Sequence, residues 1–251
     1  MNFTILGSGT AAPTPDRNMA SYLLEVGNDK ILFDSGPGTI RQLLKLKINL
    51  LDINNIFYTH LHNDHINDLP GIIWSNNYGI LRKKPLNLYG PKGFKKYCGI
   101  LLKKILNPGK LNFKINVKEM WNGSKIKIPS KNKIIIESVK SKHTGSSVSY
   151  RIENNGKSIV YSGDTDYSNE IIKISKNADV LILECSFPDN KKVKGHLTPS
   201  FCGKIATKAN IEKLILTNFY PECDKIDVIK ECKKEFNGNI ILARDFVKIK
   251  A

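Results

Sequence analysis

The sequence predicts a layered α/β fold, with two sheets packed together under outer helices, and three observations carry that reading. Short apolar or alternating runs bounded by Gly, Asn, Asp and Pro recur along all 251 residues, many of them rich in β-branched side chains. Helical spacing alternates with such runs in the C-terminal half, the order expected of β-α-β units, whereas hairpins dominate the first half. No internal repeat or low-complexity linker interrupts the chain, which reads as one domain over residues 1–251.

Taken in order, strands are expected at 2–7, 20–27, 30–34, 54–59, 86–89, 113–118, 125–128, 133–139, 147–153, 158–162, 179–184, 212–217 and 239–242. Gly27-Asn28-Asp29 and Asn154-Asn155-Gly156 supply turns between neighbouring strands. Helices are expected at 37–48, 92–106, 168–176, 199–209 and 224–235, with Thr198 as the N-cap and Pro199 as the first residue of the fourth.

With 41% hydrophobic and 25% charged residues the chain is not predominantly disordered. Its longest apolar stretches, around Val180–Leu183 and Ile100–Leu102, are far shorter than the ~18 residues of a membrane span. Met1-Asn2-Phe3 leads straight into a strand, without the basic, apolar and small-residue succession of a leader, so a cytoplasmic location is expected. Cys98, Cys185, Cys202, Cys223 and Cys232 are scattered, with no C-x-x-C pair, and are expected to be reduced, buried thiols. The net charge of +16 is uneven: residues 82–142 hold Arg82 and sixteen lysines against only Glu119 and Glu137. Such a region concentrates anions, which points to an anionic substrate or partner. The scarcity of arginine argues against base-specific nucleic-acid reading.

The chemistry concentrates in Tyr58-Thr59-His60-Leu61-His62-Asn63-Asp64-His65, directly after an apolar strand. Alternation points His60 and His62 the same way, while Asp64 and His65 on the following turn face a second position nearby. That arrangement suits two metal ions, zinc first, with manganese or iron as alternatives. His143 and His196 both stand in loops near glycine and are further ligand or catalytic candidates. Ser162-Gly163-Asp164-Thr165, after another apolar strand, offers a bridging carboxylate, with Asp166 as a weaker competitor.

The H-x-H-x-D-H segment, the Ser-Gly-Asp-Thr turn and the opening Leu6-Gly7-Ser8-Gly9-Thr10-Ala11-Ala12-Pro13-Thr14-Pro15-Asp16-Arg17-Asn18 resemble the metallo-β-lactamase fold superfamily, in its ribonuclease Z-like branch. The resemblance implies a four-layer αββα sandwich of two mixed sheets. It implies His60, His62 and His143 on one metal, Asp64 and His65 on the other, and Asp164 between them. Where that branch carries its last metal histidine, this sequence has Asn218, either a weak ligand or a hydrogen-bonding neighbour of one. Asp34 matches a position that orients the ligand loop.

The implied reaction is hydrolysis by a metal-activated water, with Asp64 or Asp164 orienting the nucleophile and His196 stabilising charge or protonating the leaving group. The charge favours a phosphodiester. Members of the ribonuclease Z branch commonly carry a transfer-RNA-binding arm between the positions of His143 and Asp164, and here those residues are too close for one. A smaller phosphodiester such as a cyclic nucleotide, or an RNA end, is therefore expected. A thioesterase or lactonase, and a nucleic-acid-binding protein with a degenerate metal site, are the alternatives. A homodimer is left open.

Overall fold

The computed structural model describes residues 1–12 and 14–251. Pro13, part of the opening motif, lies outside the described residues. One seven-stranded sheet is built from β1 (Asn2–Gly7), β2 (Ser21–Val26), β3 (Asp29–Ser35), β4 (Ile53–Phe57), β5 (Leu86–Gly90), β6 (Ile115–Glu119) and β14 (Lys248–Lys250), in the order β14-β1-β2-β3-β4-β5-β6. The other holds β7 (Lys125–Lys127), β8 (Ile135–Lys140), β9 (Val148–Asn154), β10 (Lys157–Tyr161), β11 (Val180–Glu184), β12 (Lys213–Thr217) and β13 (Asn239–Leu242), in the order β13-β12-β11-β10-β9-β8-β7.

Period-two alternation decides the layering. On β3, Ile31 and Phe33 enter the core between the sheets, while Leu32 faces outward to a second core. On β11, Val180 and Ile182 point inward while Leu181 and Leu183 point to a third. The outer face of the first sheet is covered by α1 (Thr39–Lys45), α2 (Asn63–Ile66), α3 (Leu69–Trp74) and α4 (Phe94–Ile100), through Leu43, Ile66, Ile72 and Phe94. Ile171, Ile205 and Cys232 of α5 (Asn169–Ser175), α6 (Pro199–Lys208) and α7 (Val228–Lys233) cover the second. Each apolar side chain buried this way contributes about 1.5–3 kcal/mol. The result is the αββα sandwich, with all five cysteines free and buried. Among the described residues no helix is long and apolar enough to cross a membrane.

The topology corrects the division into a hairpin half and a β-α-β half. Each sheet is antiparallel at first (β1-β2-β3; β7-β8-β9-β10) and parallel afterwards (β3-β4-β5-β6; β10-β11-β12-β13). Helix 92–106 is α4 followed by a π-helical turn at Leu101–Leu106, and helix 37–48 ends at Lys45. Helix 224–235 is a 3₁₀ turn, Pro221–Lys225, then α7, started by the Asp227 side chain accepting from the Lys230 N–H. Thr198 does stand at the N-cap of α6 with Pro199 first, although its side chain caps nothing.

Arg82 is also corrected. All sixteen lysines of residues 82–142 are exposed, but Arg82 is 0% exposed and belongs to the interior. Its guanidinium donates to Asn76 Oδ1 at 2.7 Å, Asn54 Oδ1 at 2.9 Å, Leu50 O at 2.8 Å and Ile53 O at 2.6 Å, all neutral acceptors. It ties the end of the π-helical turn Ser75–Gly79 to the entry of β4. Arg82→Leu is expected to lower unfolding free energy by about 3 kcal/mol, because several buried carbonyl and amide oxygens lose their donor. Urea denaturation checks this; a midpoint equal to wild type would contradict it.

Candidate metal centre

The chemistry lies where parallel strands end. His60 and His62 follow β4, Asp64 and His65 ride on α2, Asp164 follows β10 and Asn218 follows β12. His143 follows β8, and His196 sits on the loop between β11 and α6. Residues from 60 to 218 thus meet at one edge of the seam between the sheets. Before Asp164, Gly163 takes φ +55°, and a Cβ there would lie 2.5 Å from Thr59 Cβ, so the turn needs glycine.

Single ligand atoms from His60, His62, His143 and Asp164 fall within 4.8 Å of one another. His65 Nε2 lies 3.3 Å from Asp164 Oδ1 and 3.7 Å from Asp64 Oδ2. Asn218 Nδ2 donates to Asp164 Oδ1 at 2.7 Å. Asp164 therefore stands between the two groups that the sequence separated.

Protein acceptors fix the imidazoles from behind. His65 Nδ1 donates to Asp34 Oδ2 at 2.9 Å and His143 Nδ1 to Gly195 O at 2.9 Å. His60 Nδ1 donates to Thr59 Oγ1 at 3.0 Å, whose own proton goes to Asp34. Each ring so held turns its Nε2 toward the centre, the nitrogen a metal would take. Asp34, fully buried and at φ 53°, also accepts from the Thr59 N–H and the Tyr161 hydroxyl. It ties the end of β3 to Thr59 and His65.

A cation fits these residues. His60 Nε2, His65 Nε2 and Asn218 Oδ1 are buried without a hydrogen-bond partner, and leaving such atoms unmatched costs about 1–3 kcal/mol each. Positive ions on either side of Asp164 would satisfy all three, one at His60 and one at His65 and Asn218. Burial, then the neighbouring His65, pushes His60 well below the usual imidazole range, and burial with His143 lowers His62. Burial also lowers His143. Neutral rings are the metal-binding form. Burial opposes protonation of His65 as well, but the charges of Asp164 and Asp34 outweigh it and raise its pKa. Asp164 is buried too, yet His65 holds it well below the carboxylate range.

A family model described as Anti-Pycsar protein Apyc1 matches residues 1–226. The chain belongs to the Anti-Pycsar protein Apyc1 family. Among curated proteins, this Apyc1-family chain is similar to ribonuclease Z of Archaeoglobus fulgidus, 27% identical over 98% of the chain and 96% of the relative. That alignment runs over 304 positions, so the relative carries segments this chain lacks. Among solved structures, the metallo-β-lactamase fold protein YhfI of Bacillus subtilis has a TM-score of 0.86 at 21% identity, covering 100% of this chain and 99% of that one. The short form of human tRNase Z has a TM-score of 0.82 at 25% identity, over 100% and 99%. The fold is the metallo-β-lactamase fold, and the relatives place the chain in the ribonuclease Z-like branch.

The Apyc1-family chain contains a residue that sequence reasoning missed. Glu184, 1% exposed at the end of β11, accepts from His196 Nδ1 at 3.1 Å, the Thr165 N–H at 2.8 Å and the Leu197 N–H at 3.1 Å. Burial resists protonation of His196, but the hydrogen bond and charge of Glu184 outweigh it and raise the imidazole's pKa. Asp166 does not enter the centre as a competing bridge; its carboxylate binds Lys192 and the Gly195 N–H. Beyond His196, Phe187 and Tyr220 stack at 4.5 Å and 19°, Phe187 lying 5.6 Å edge-on from the imidazole. Neither ring joins any of the three apolar cores, and together they form an aromatic wall beside the site.

Proposed function

We propose that this single hydrolase domain is a zinc-dependent phosphodiesterase acting on a small nucleotide phosphodiester or an RNA end. The observation that carries the reading is the buried set of Nε2 and Oδ1 atoms, left without protein partners, around Asp164. In this reading His60, His62, His143 and Asp164 hold one ion, and Asp64, His65, Asp164 and Asn218 a weaker second. Manganese or iron suits the same donors.

When bound, the cation supplies Lewis acidity to the phosphoryl group and to an attacking water. The protein's own groups do the rest. Asp64 orients the nucleophile. His196, protonated with the help of Glu184, gives a proton to the leaving oxygen or stabilises its charge. The Phe187–Tyr220 wall favours an aromatic group beside the phosphate, as a nucleobase would be.

Size selection is supported by the chain between His143 and Asp164. It consists of β9 and β10 joined by the tight turn at Asn155-Gly156, which leaves no segment to form an arm. The lysines cluster along the sandwich side bordered by β6 and β7, and Lys142 brings that charge next to His143. Ribonuclease Z relatives support an anionic substrate.

Hydrolysis of bis(p-nitrophenyl) phosphate by zinc-loaded protein, compared with a thioester, tests the reading. Preference for the thioester would overturn it. Salt-sensitive RNA binding by metal-stripped protein, with no turnover when metal returns, would favour a binding module instead. Asn218→His is expected to raise bound metal toward two ions per chain by elemental analysis, since imidazole is the stronger ligand. Unchanged stoichiometry would leave Asn218 as a hydrogen-bond donor to Asp164.

A further inference from the structure

We propose that Asp166 is a positioning residue that fixes His143 and His196 together, through the backbone of Gly195. It touches neither imidazole. Its Oδ2 accepts from the Gly195 N–H at 3.0 Å and from Lys192 Nζ at 3.0 Å, while Oδ1 accepts from the Tyr167 N–H at 2.8 Å. Its own N–H donates to Lys142 O at 2.8 Å. One residue therefore pins three loops: the one carrying His143, the one carrying Asp164 and the one carrying His196.

Gly195 transmits this hold in two directions. Its carbonyl accepts from His143 Nδ1 at 2.9 Å, which sets the tautomer and tilt of that ring. Its C-terminal neighbour is His196, whose Nδ1 must meet Glu184 at 3.1 Å. The junction has no slack: Gly195 takes φ +91°, and a Cβ there would stand 3.1 Å from His143 Nδ1. The Lys192 ammonium adds charge to the same oxygen and fastens the loop one turn earlier. Without the Asp166 acceptor, the Gly195 peptide is free to rotate, and both imidazoles lose their reference at once.

The test measures zinc affinity by competition with a chromophoric chelator, and kcat and KM at saturating zinc for a phosphodiester whose leaving alkoxide needs a proton. It uses the full chain as wild type, Asp166→Ala, Asp166→Asn and Gly195→Ala. Asp166→Ala is expected to lower zinc affinity and kcat together, each by about tenfold to a hundredfold, the usual cost of losing a partner behind a ligand. KM should change little. Asparagine keeps an oxygen for the Gly195 N–H but gives up the Tyr167 N–H bond and the Lys192 charge pair, so Asp166→Asn should lose clearly less than Asp166→Ala, whereas Gly195→Ala should reproduce both losses. A lowered melting temperature with zinc affinity and kcat intact would reduce Asp166 to a structural anchor and overturn the proposal. So would Asp166→Asn falling as far as Asp166→Ala, which would move the role to the Lys192 charge pair. The turnover arm rests on the phosphodiesterase reading, but the affinity arm does not: zinc-loaded wild type that cleaves nothing defeats that reading and still leaves the affinity comparison to judge Asp166.

Discussion

His196→Ala should lower turnover of a phosphodiester with a ribose-like leaving group by about 10²–10⁴-fold, the range typical of a lost general acid, while metal content stays at the wild-type value. The imidazole lies 3.8 Å from Asp164 Oδ2 through the same Nδ1 that meets Glu184, which leaves its other nitrogen to serve as the proton donor in the proposed reaction. The loss should shrink on bis(p-nitrophenyl) phosphate, because p-nitrophenolate departs without a proton. Equal losses on both substrates would assign His196 to charge stabilisation, and a parallel loss of metal would make it a ligand. Glu184→Gln should follow the same pattern more weakly, since the amide oxygen can still accept from Nδ1 without supplying charge.

The other large effect is expected at Asp164. Its two oxygens lie within 3.9 Å of nitrogens of His60, His65, His143 and His196, and accept from Asn218. Asp164→Asn keeps the volume and removes the carboxylate that lies against both groups of donors. Metal content should fall by at least about tenfold, the usual cost even of a partner behind the ligands, with hydrolysis near background. Elemental analysis and the phosphodiester assay measure both. Retention of full metal and rate would mean that the ion is held by the histidines alone.

Much of this centre was legible because H-x-H-x-D-H is local: one strand end and one short helix carry four chemical groups within six residues. The strands were legible for a similar reason, since alternation on β3 and continuous apolarity on β11 are each decided by the faces they cover. Glu184 was not. It closes Val180-Leu181-Ile182-Leu183 as a lone acidic residue, and a lone carboxylate carries no spacing signal. Its position did hold a clue: it ends a parallel strand as Asp164 and Asn218 nearly do, and chemistry in such sheets gathers at those ends.

Other misreadings have equally local causes. Arg82 looked like one more surface cation because sequence cannot show the carbonyls of Leu50 and Ile53 turning inward to meet it. The helices α2 and α3 escaped notice because four and six residues are too few to establish a period, and Pro70-Gly71 reads as a turn. Lys248-Ile249-Lys250 is too short to announce a strand, yet it pairs with Asn2, Phe3 and Thr4 and closes the edge of the first sheet. Asp166 was weighed as a bridge because of its closeness in sequence to Asp164, and the turn between them sends its carboxylate to the next loop.

The donors around Asp164 are divided between the sheets, His60 through His65 from one and His143, Asp164 and Asn218 from the other. A growing polypeptide can therefore complete neither donor set until residue 164 has left the ribosome, nor the second until residue 218 has followed. Any ion captured afterwards would rivet two panels otherwise laced together at the β14 edge, so a chelator should loosen the sandwich as well as silence it, and gene fragments cut between residues 120 and 125 should each be inert alone and regain an ion only as a reunited pair.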